Sequence, residues 1–216
     1  MTKSQKRERL SQIIDRIAEV YPESVCALEY GGDPWRLLVM GRLSAQCTDK
    51  RVNIVSRELF SRFPTPESMA YGDIDEIERI IKPCGLYRMK AANIKDASRR
   101  LIEQFSGELP CDMESLLTFE GVGRKIANLL IGDVFGGEAI VCDTHFIRIM
   151  GRFGMYPEKL KDPNKIEMIM RDLMDLRLGS DFCHRIVNFG RDICTARAPK
   201  CHECPMSDLC ESYLKR

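Results

Sequence analysis

The chain has 216 residues, enough to bury a substantial core in one large domain or two small ones. No run approaches the about 18 apolar residues of a membrane span, and the N-terminal MTKSQKRERL lacks the apolar stretch of a signal peptide, so a cytoplasmic protein is expected. Lys and Arg number 33 against 32 Asp and Glu, a net charge of +1 that argues neither for nor against nucleic acid. Its distribution says more. Asp73, Asp75, Glu76 and Glu78 crowd one stretch, whereas Arg148, Arg152, Arg185, Arg191, Arg197 and Lys200 gather in the last third, so a basic face is expected there.

In chain order, Leu10, Ile13, Ile14, Ile17 and Ala18 recur at helical spacing until Tyr21-Pro22 ends the pattern, which predicts a first amphipathic helix. Trp35 to Cys47 reads as a largely apolar helix. Asp49 to Phe63 carries Val52, Val55, Leu59 and Phe60 before the break Pro64-Thr65-Pro66. Ile74, Ile77, Ile80 and Ile81 mark another helix that stops at Pro83, and Met89 to Phe105 a longer one. Further helices are predicted over Met113 to Phe119, Arg124 to Phe135, Thr144 to Phe153, Asn164 to Leu176 and Asp181 to Ile193. Nothing alternates with period two for long, so the fold class is all-α, with short loops and no simple repeat.

Ten cysteines would suggest disulfides in a secreted chain, but in a reducing compartment they stay thiols unless a metal claims them. Cys194, Cys201, Cys204 and Cys210 stand at the spacing C-x6-C-x2-C-x5-C and are candidate ligands of one metal centre. Zinc sites usually offer two close pairs, and only Cys201 and Cys204 form one here. The wider arms suit the larger perimeter of a 4Fe-4S cluster, although spacing alone leaves zinc open. Cys26, Cys47, Cys84, Cys111, Cys142 and Cys183 are scattered and read as small buried hydrophobes.

Glu120-Gly121-Val122-Gly123 lies between two predicted helices and leads into Arg124-Lys125-Ile126-Ala127-Asn128. Two glycines flanking a small apolar residue permit positive φ and leave backbone N–H groups uncovered at a helix start, where the dipole also favours a phosphate. A helix-hairpin-helix element grips a DNA backbone this way without reading sequence; a tight turn that needs glycine for geometry alone is the plainer alternative. Lys125 is a cation in a first turn, opposed by the dipole. That field, with Arg124 alongside, favours the neutral amine, which can attack an electrophilic carbon to form a Schiff base. Asp143, in Val141-Cys142-Asp143-Thr144-His145, reads first as an N-cap. Near Lys125 it would also stabilise a developing sugar cation or accept a proton.

EGVGRKIAN, VCDTH, GRDIC and the four-cysteine pattern, in that order and at these distances, resemble the helix-hairpin-helix DNA glycosylases of the endonuclease III type. The likeness extends to LSAQCTDKRVN at 43–53 and GLYRMKAANI at 85–94, so it covers nearly the whole chain. It implies two helical lobes flanking a DNA-binding cleft: a six-helix barrel over 25–136, and a second lobe of 1–24 with 137–216 that carries a 4Fe-4S cluster. It implies a bifunctional enzyme that removes damaged, expectedly oxidised, pyrimidines from duplex DNA and cleaves the abasic strand by β-elimination. Lys125 matches the Schiff-base nucleophile and Asp143 the catalytic aspartate, while Gln46, Leu86 and His145 match positions that fill or flank the gap in the duplex. Gly121, Gly123 and Arg124 would meet the DNA backbone, as would Arg197 and Lys200 between the first two cluster cysteines. The expected partner is double-stranded DNA bearing damaged bases or abasic sites, met by a monomer at a bacterial or archaeal nucleoid.

Departures from the family pattern are Phe119-Glu120, where Leu-Pro usually precedes the hairpin glycine, and Cys142, where a small apolar residue is commoner. Glu120 should weaken phosphate binding unless it points away or pairs with a basic neighbour such as Arg124. The adenine-glycosylase variant would need a glutamate in the early barrel helix, and Leu37 to Cys47 contains none. A mismatch thymine or uracil glycosylase is the closer alternative. A non-catalytic iron-sulfur DNA-binding module would keep hairpin and cysteines but have no use for Lys125 and Asp143 together.

Overall fold

A computed structural model describes residues 1–23 and 25–215, and among them the apolar stripes become twelve α-helices with no strand. In chain order they are α1 (Lys3–Val20), α2 (Pro34–Leu43), α3 (Asp49–Arg62), α4 (Pro66–Tyr71), α5 (Ile74–Ile81) and α6 (Tyr87–Phe105). There follow α7 (Met113–Leu116), α8 (Arg124–Asp133), α9 (Thr144–Arg152), α10 (Pro163–Arg171), α11 (Gly179–Asp192) and α12 (Glu211–Leu214). No described helix is long and apolar enough to cross a membrane. By internal contacts the chain divides into one unit of Cys26–Phe135 and a second of Met1–Val25 with Gly136–Arg216.

In the Cys26–Phe135 unit, α2 is buried almost along its whole length, Arg42 included, and so forms the centre around which α3, α6 and α8 pack. Trp35, Leu38, Val52, Leu59, Ile77, Ile94 and Leu130 belong to its core. Two polar side chains inside are satisfied in series: Trp35 Nε1 donates to Ser98 Oγ at 2.9 Å, and Ser98 Oγ donates to the Ile94 carbonyl at 2.7 Å. In the other unit the two ends of the chain meet. Leu10, Ile13 and Ile17 of α1 are fully buried, α1 packs on α11, and Phe146 and Phe182 meet edge to face at 6.0 Å.

Helix starts follow side-chain chemistry that is visible in the sequence. Asp33, Thr48, Thr65, Asp73, Asp112, Asp143 and Asp162 each accept a first-turn N–H, and Pro34, Pro66 and Pro163 occupy first helical positions where no donor is needed. Two helices of the Cys26–Phe135 unit, α6 and α8, begin instead at Leu86 and Gly123 with no side-chain cap.

Several boundaries differ from the sequence reading. α2 ends at Leu43, not Cys47, because Gln46 takes a left-handed conformation (φ 54°) that a helix cannot contain. α7 stops at Leu116, before the turn that enters the hairpin, and α10 stops at Arg171 rather than Leu176, where Asp175 caps a separate short 3-10 turn. α4 was not anticipated: six residues are too few to show a stripe, and it is fixed by the reciprocal Thr65–Ser68 capping box. Cys84, Cys142 and Cys183 are buried as expected, Cys26 and Cys47 only partly, and Cys111 is exposed. The expected basic face is thinner than its residue count. Arg148 donates to the Gly190 and Cys194 carbonyls, Arg152 to those of Thr195 and Ala196, and Arg185 to that of Tyr21, so these three serve the fold.

Candidate active site and metal centre

Gly121 and Gly123 have different jobs. Gly121 sits at φ 76°, and a Cβ there would collide with the Arg42 side chain and come within 2.9 Å of Asn93 Oδ1. Arg42 is buried and donates from Nε (2.9 Å) and Nη2 (2.6 Å) to Asn93 Oδ1, so the hairpin backbone lies directly on a buried polar pair. Gly123 is extended (φ −97°, ψ 176°) rather than left-handed, contrary to the expectation for both glycines, and a Cβ there would meet nothing within 4 Å. Packing therefore does not demand glycine at 123; an open first turn of α8 does fit close approach by a ligand backbone.

The turn is closed by Val122 N–H donating to the Phe119 carbonyl at 3.0 Å, and the Gly123 carbonyl accepts from both Ile126 and Ala127. Lys125 follows in the first turn of α8, exposed, and its ammonium forms no hydrogen bond or ion pair with a described residue. Glu120 acts on Arg42: burial pulls that guanidinium's pKa down and the Glu120 charge pushes it back up. The Glu120 carboxylate is thus near enough for its charge to be felt by the buried guanidinium under the hairpin.

In the same unit, Gln46 and Leu86 are exposed side chains on left-handed backbone, φ 54° and 49°. Gln46 tops the turn after α2, and Leu86 follows the 3-10 turn Lys82–Cys84 and Gly85 (φ 68°). Sequence reasoning did not single out the residues beneath these loops, Lys90, Asn93 and Arg42. A signal was present: Lys90 shares a stripe of α6 with Ile94, Ala97 and Leu101, an inward face that a lysine occupies only for a reason.

In the other unit, Asp143 caps α9 as expected: Oδ1 accepts the Phe146 N–H at 2.7 Å, which aims the carboxylate across the first turn. Its charge is felt by Arg148, whose pKa is lowered first by burial and then partly restored by Cys194 and Asp143. His145 is half-buried. Its Nδ1 lies 3.2 Å from Arg148 Nη2, and both pack over Gly190, where a Cβ would sit 2.5 Å from Nδ1. Arg197 and Lys200 are exposed in the segment between Cys194 and Cys201. Lys125 with Gln46, Leu86, Gly121, Gly123 and Arg124 therefore belongs to one unit, and Asp143, His145, Arg197, Lys200 and the four cysteines to the other.

The cysteine set fits an iron-sulfur centre by its chemistry. Cys194, Cys201, Cys204 and Cys210 are free thiols lining one cavity with Ile149, Phe153, Phe189 and Ile193, so the four sulfurs share a largely apolar wall. Burial, with repulsion from the other three sulfurs, pushes Cys204 up to about 11 against the relief given by the Met206 N–H, and Cys210 is raised chiefly by burial. Such thiols need a metal's positive charge to exist as thiolates. Arg152 Nη1 donates to Cys194 Sγ at 3.1 Å, the kind of donor to sulfur that steadies cluster ligands.

An all-helical fold with a glycine hairpin beside an exposed lysine, and a four-thiol centre near the C-terminus, defines a helix-hairpin-helix protein with a metal cluster. Residues 39–175 match the family described as HhH-GPD superfamily base excision DNA repair protein, and residues 194–210 match the iron-sulfur binding domain of endonuclease III. Endonuclease III of Synechocystis sp. is 44% identical over 211 residues, 96% of this chain and 94% of that one. Among solved structures, a non-covalent endonuclease III–DNA complex superposes with TM-score 0.91 at 36% identity, covering 100% of this chain and 98% of that one. A trapped endonuclease III–DNA covalent intermediate gives the same TM-score and identity, covering 100% and 99%. The chain belongs to the endonuclease III family of the HhH-GPD superfamily. It is a base excision repair DNA glycosylase with abasic-site lyase activity, it binds DNA, and it carries a 4Fe-4S cluster, whose family domain matches residues 194–210.

Proposed function

We propose that this enzyme removes oxidised pyrimidines from duplex DNA, with Lys125 as nucleophile and Asp143 as the assisting carboxylate. The reading is carried by Lys125: an exposed amine that engages no described residue, in the first turn of α8 directly after the glycine hairpin, in a chain whose relative has been trapped covalently on DNA. Lys125 Nζ attacks C1′ while the C1′–N bond breaks and the base leaves with the electron pair and a proton. The sugar ring opens to a protonated imine, the C2′ proton is lost, and the C3′–O bond breaks to cut the strand. Asp143 stabilises positive charge on the sugar and accepts a proton.

Base extrusion costs a few kcal/mol, and Gln46 and Leu86 offset it by entering the gap, with His145 at its margin. Gly121, Gly123 and Arg124 hold one stretch of phosphate and Arg197 and Lys200 another, which makes the cluster a structural staple for a DNA-binding segment. The Cys26–Phe135 unit is the six-helix barrel of this scheme and the other unit its cluster domain. The enzyme works as a monomer on DNA of the cytoplasmic nucleoid, in keeping with its bacterial relatives.

Borohydride should trap a covalent adduct with abasic-site DNA, and Lys125→Ala should abolish it; an adduct that survives this change removes Lys125 from the role. A panel of duplexes with thymine glycol, oxidised cytosine, uracil or thymine opposite guanine, and a bare abasic site tests the lesion class. Fastest release from a uracil or thymine mismatch would overturn the oxidised-pyrimidine reading.

A further inference from the structure

Lys90 has no exposed surface, and its ammonium is satisfied by backbone alone: Nζ donates to the carbonyls of Leu43 (2.8 Å), Ala45 (2.7 Å) and Cys84 (2.8 Å). A lysine has three donors, and all three are used. The acceptors lie in two separate segments, the end of α2 with the loop that follows it and the 3-10 turn before Leu86. Ala45 contributes the peptide bond that joins it to Gln46, and Cys84 lies two residues before Leu86. The backbone N–H of Lys90 also donates to the Leu86 carbonyl at 3.0 Å. The loops come near each other once more where the Cys47 thiol lies close enough to the buried Cys84 thiol to hinder its ionisation, after burial itself.

Among described residues, three that are not glycine have positive φ: Gln46, Leu86 and Ser106. Ser106 is the C-cap of α6, where the left-handed conformation is ordinary. The other two are exposed side chains on backbone that costs roughly 1–2 kcal/mol per residue, a conformation that persists only where the surroundings over-determine it. Beneath both stands Lys90.

We infer that Lys90 is a positioning residue for base extrusion, one buried ammonium that clamps the Gln46 and Leu86 loops together so that both side chains enter the duplex as a preset pair. The inference rests on the reading of Gln46 and Leu86 as gap-filling residues. Burying a charge is costly, and the three carbonyls that Lys90 satisfies, which would otherwise stay unpaired, are what offset that cost here. What an apolar side chain lacks is a way to draw three carbonyls from two segments to one point.

The test compares the holoprotein with Lys90→Met, using single-turnover excision from a damaged duplex and borohydride trapping on single-stranded abasic DNA, which has no stack to enter. Visible cluster absorbance and thermal unfolding verify the fold. Excision from duplex should fall about 100-fold, the scale of a small misplacement of reacting parts. Trapping on the single strand should stay within about twofold, the scatter of independent changes. In a Gln46→Ala/Leu86→Ala background, adding Lys90→Met should cost little more. Equal losses on both substrates, full additivity in that background, or unimpaired duplex excision by Lys90→Met would each overturn the inference. If Gln46→Ala/Leu86→Ala alone leaves duplex excision unchanged, the gap-filling reading falls first and the inference with it. Should Lys90→Met not fold, Lys90→Gln, which keeps two donors, is judged by the same criteria.

Discussion

The loops at 44–47 and 82–86 and the segment at 194–210 all carry proposed DNA contacts, and they are held by different means. In the first, Lys90 gathers three carbonyls, and the holding group is part of the polypeptide. In the second, four thiols need an inorganic centre, and the protein supplies supporting cations: Arg148 to the Cys194 carbonyl, Arg152 to Cys194 Sγ and the Thr195 and Ala196 carbonyls, and Arg16 to the Pro205 carbonyl and Asp208. A side-chain clamp forms whenever the unit that carries it folds. A cluster clamp depends on metal supply, but it can organise a segment that buries little apolar side chain of its own.

Removing a cluster ligand should have the largest effect. Cys204→Ser is expected to abolish visible absorbance and cost several kcal/mol of stability, since binding energy in such sites is folding energy; a variant that melts like the parent would show the segment to be held by its arginines instead. Gly121→Ala comes next. Its φ of 76° and the collision with Arg42 should cost about 3 kcal/mol and weaken DNA binding, read by thermal melts and by titration of a labelled abasic duplex. Arg152→Met separates cluster from support: the four thiolates should still assemble it, with a loss of about 1 kcal/mol and faster bleaching in air, because a half-buried sulfur and two carbonyls lose their donor.

The smallest stability effect should fall at Asp143. Asparagine there keeps the cap and should stay within about 0.5 kcal/mol of the parent, whereas alanine should cost about 1 kcal/mol. Both should lose excision, and an active Asp143→Asn would reduce Asp143 to a cap. That pairing would break the comparison at its far end, where a residue serves structure and chemistry together.

Much of the site could be read from residue types because each type has a narrow use. Four cysteines at metal spacing and an aspartate before a helical stripe are local signals, and Asp143 does cap α9. The hairpin was half legible: Gly121 takes the left-handed backbone expected, but Gly123 does not, because it acts as the uncapped start of α8. The basic face was overstated, since charge along a sequence does not tell an arginine that faces water from one that binds carbonyls, as Arg148, Arg152 and Arg185 do.

The sequence by itself determined the all-helical class, ten of the twelve helices, the Asp143 cap and the thiol set, because periodicity, capping and ligand spacing act over a few residues. Only the tertiary structure decided that Gln46 and Leu86 are left-handed, that Arg42 and Asn93 lie under Gly121, and that Lys90 is buried beneath two loops. Those facts depend on groups roughly 40 to 50 residues apart in the chain meeting where water is excluded, and a buried cation can be stable only after its distant carbonyls have been brought to it.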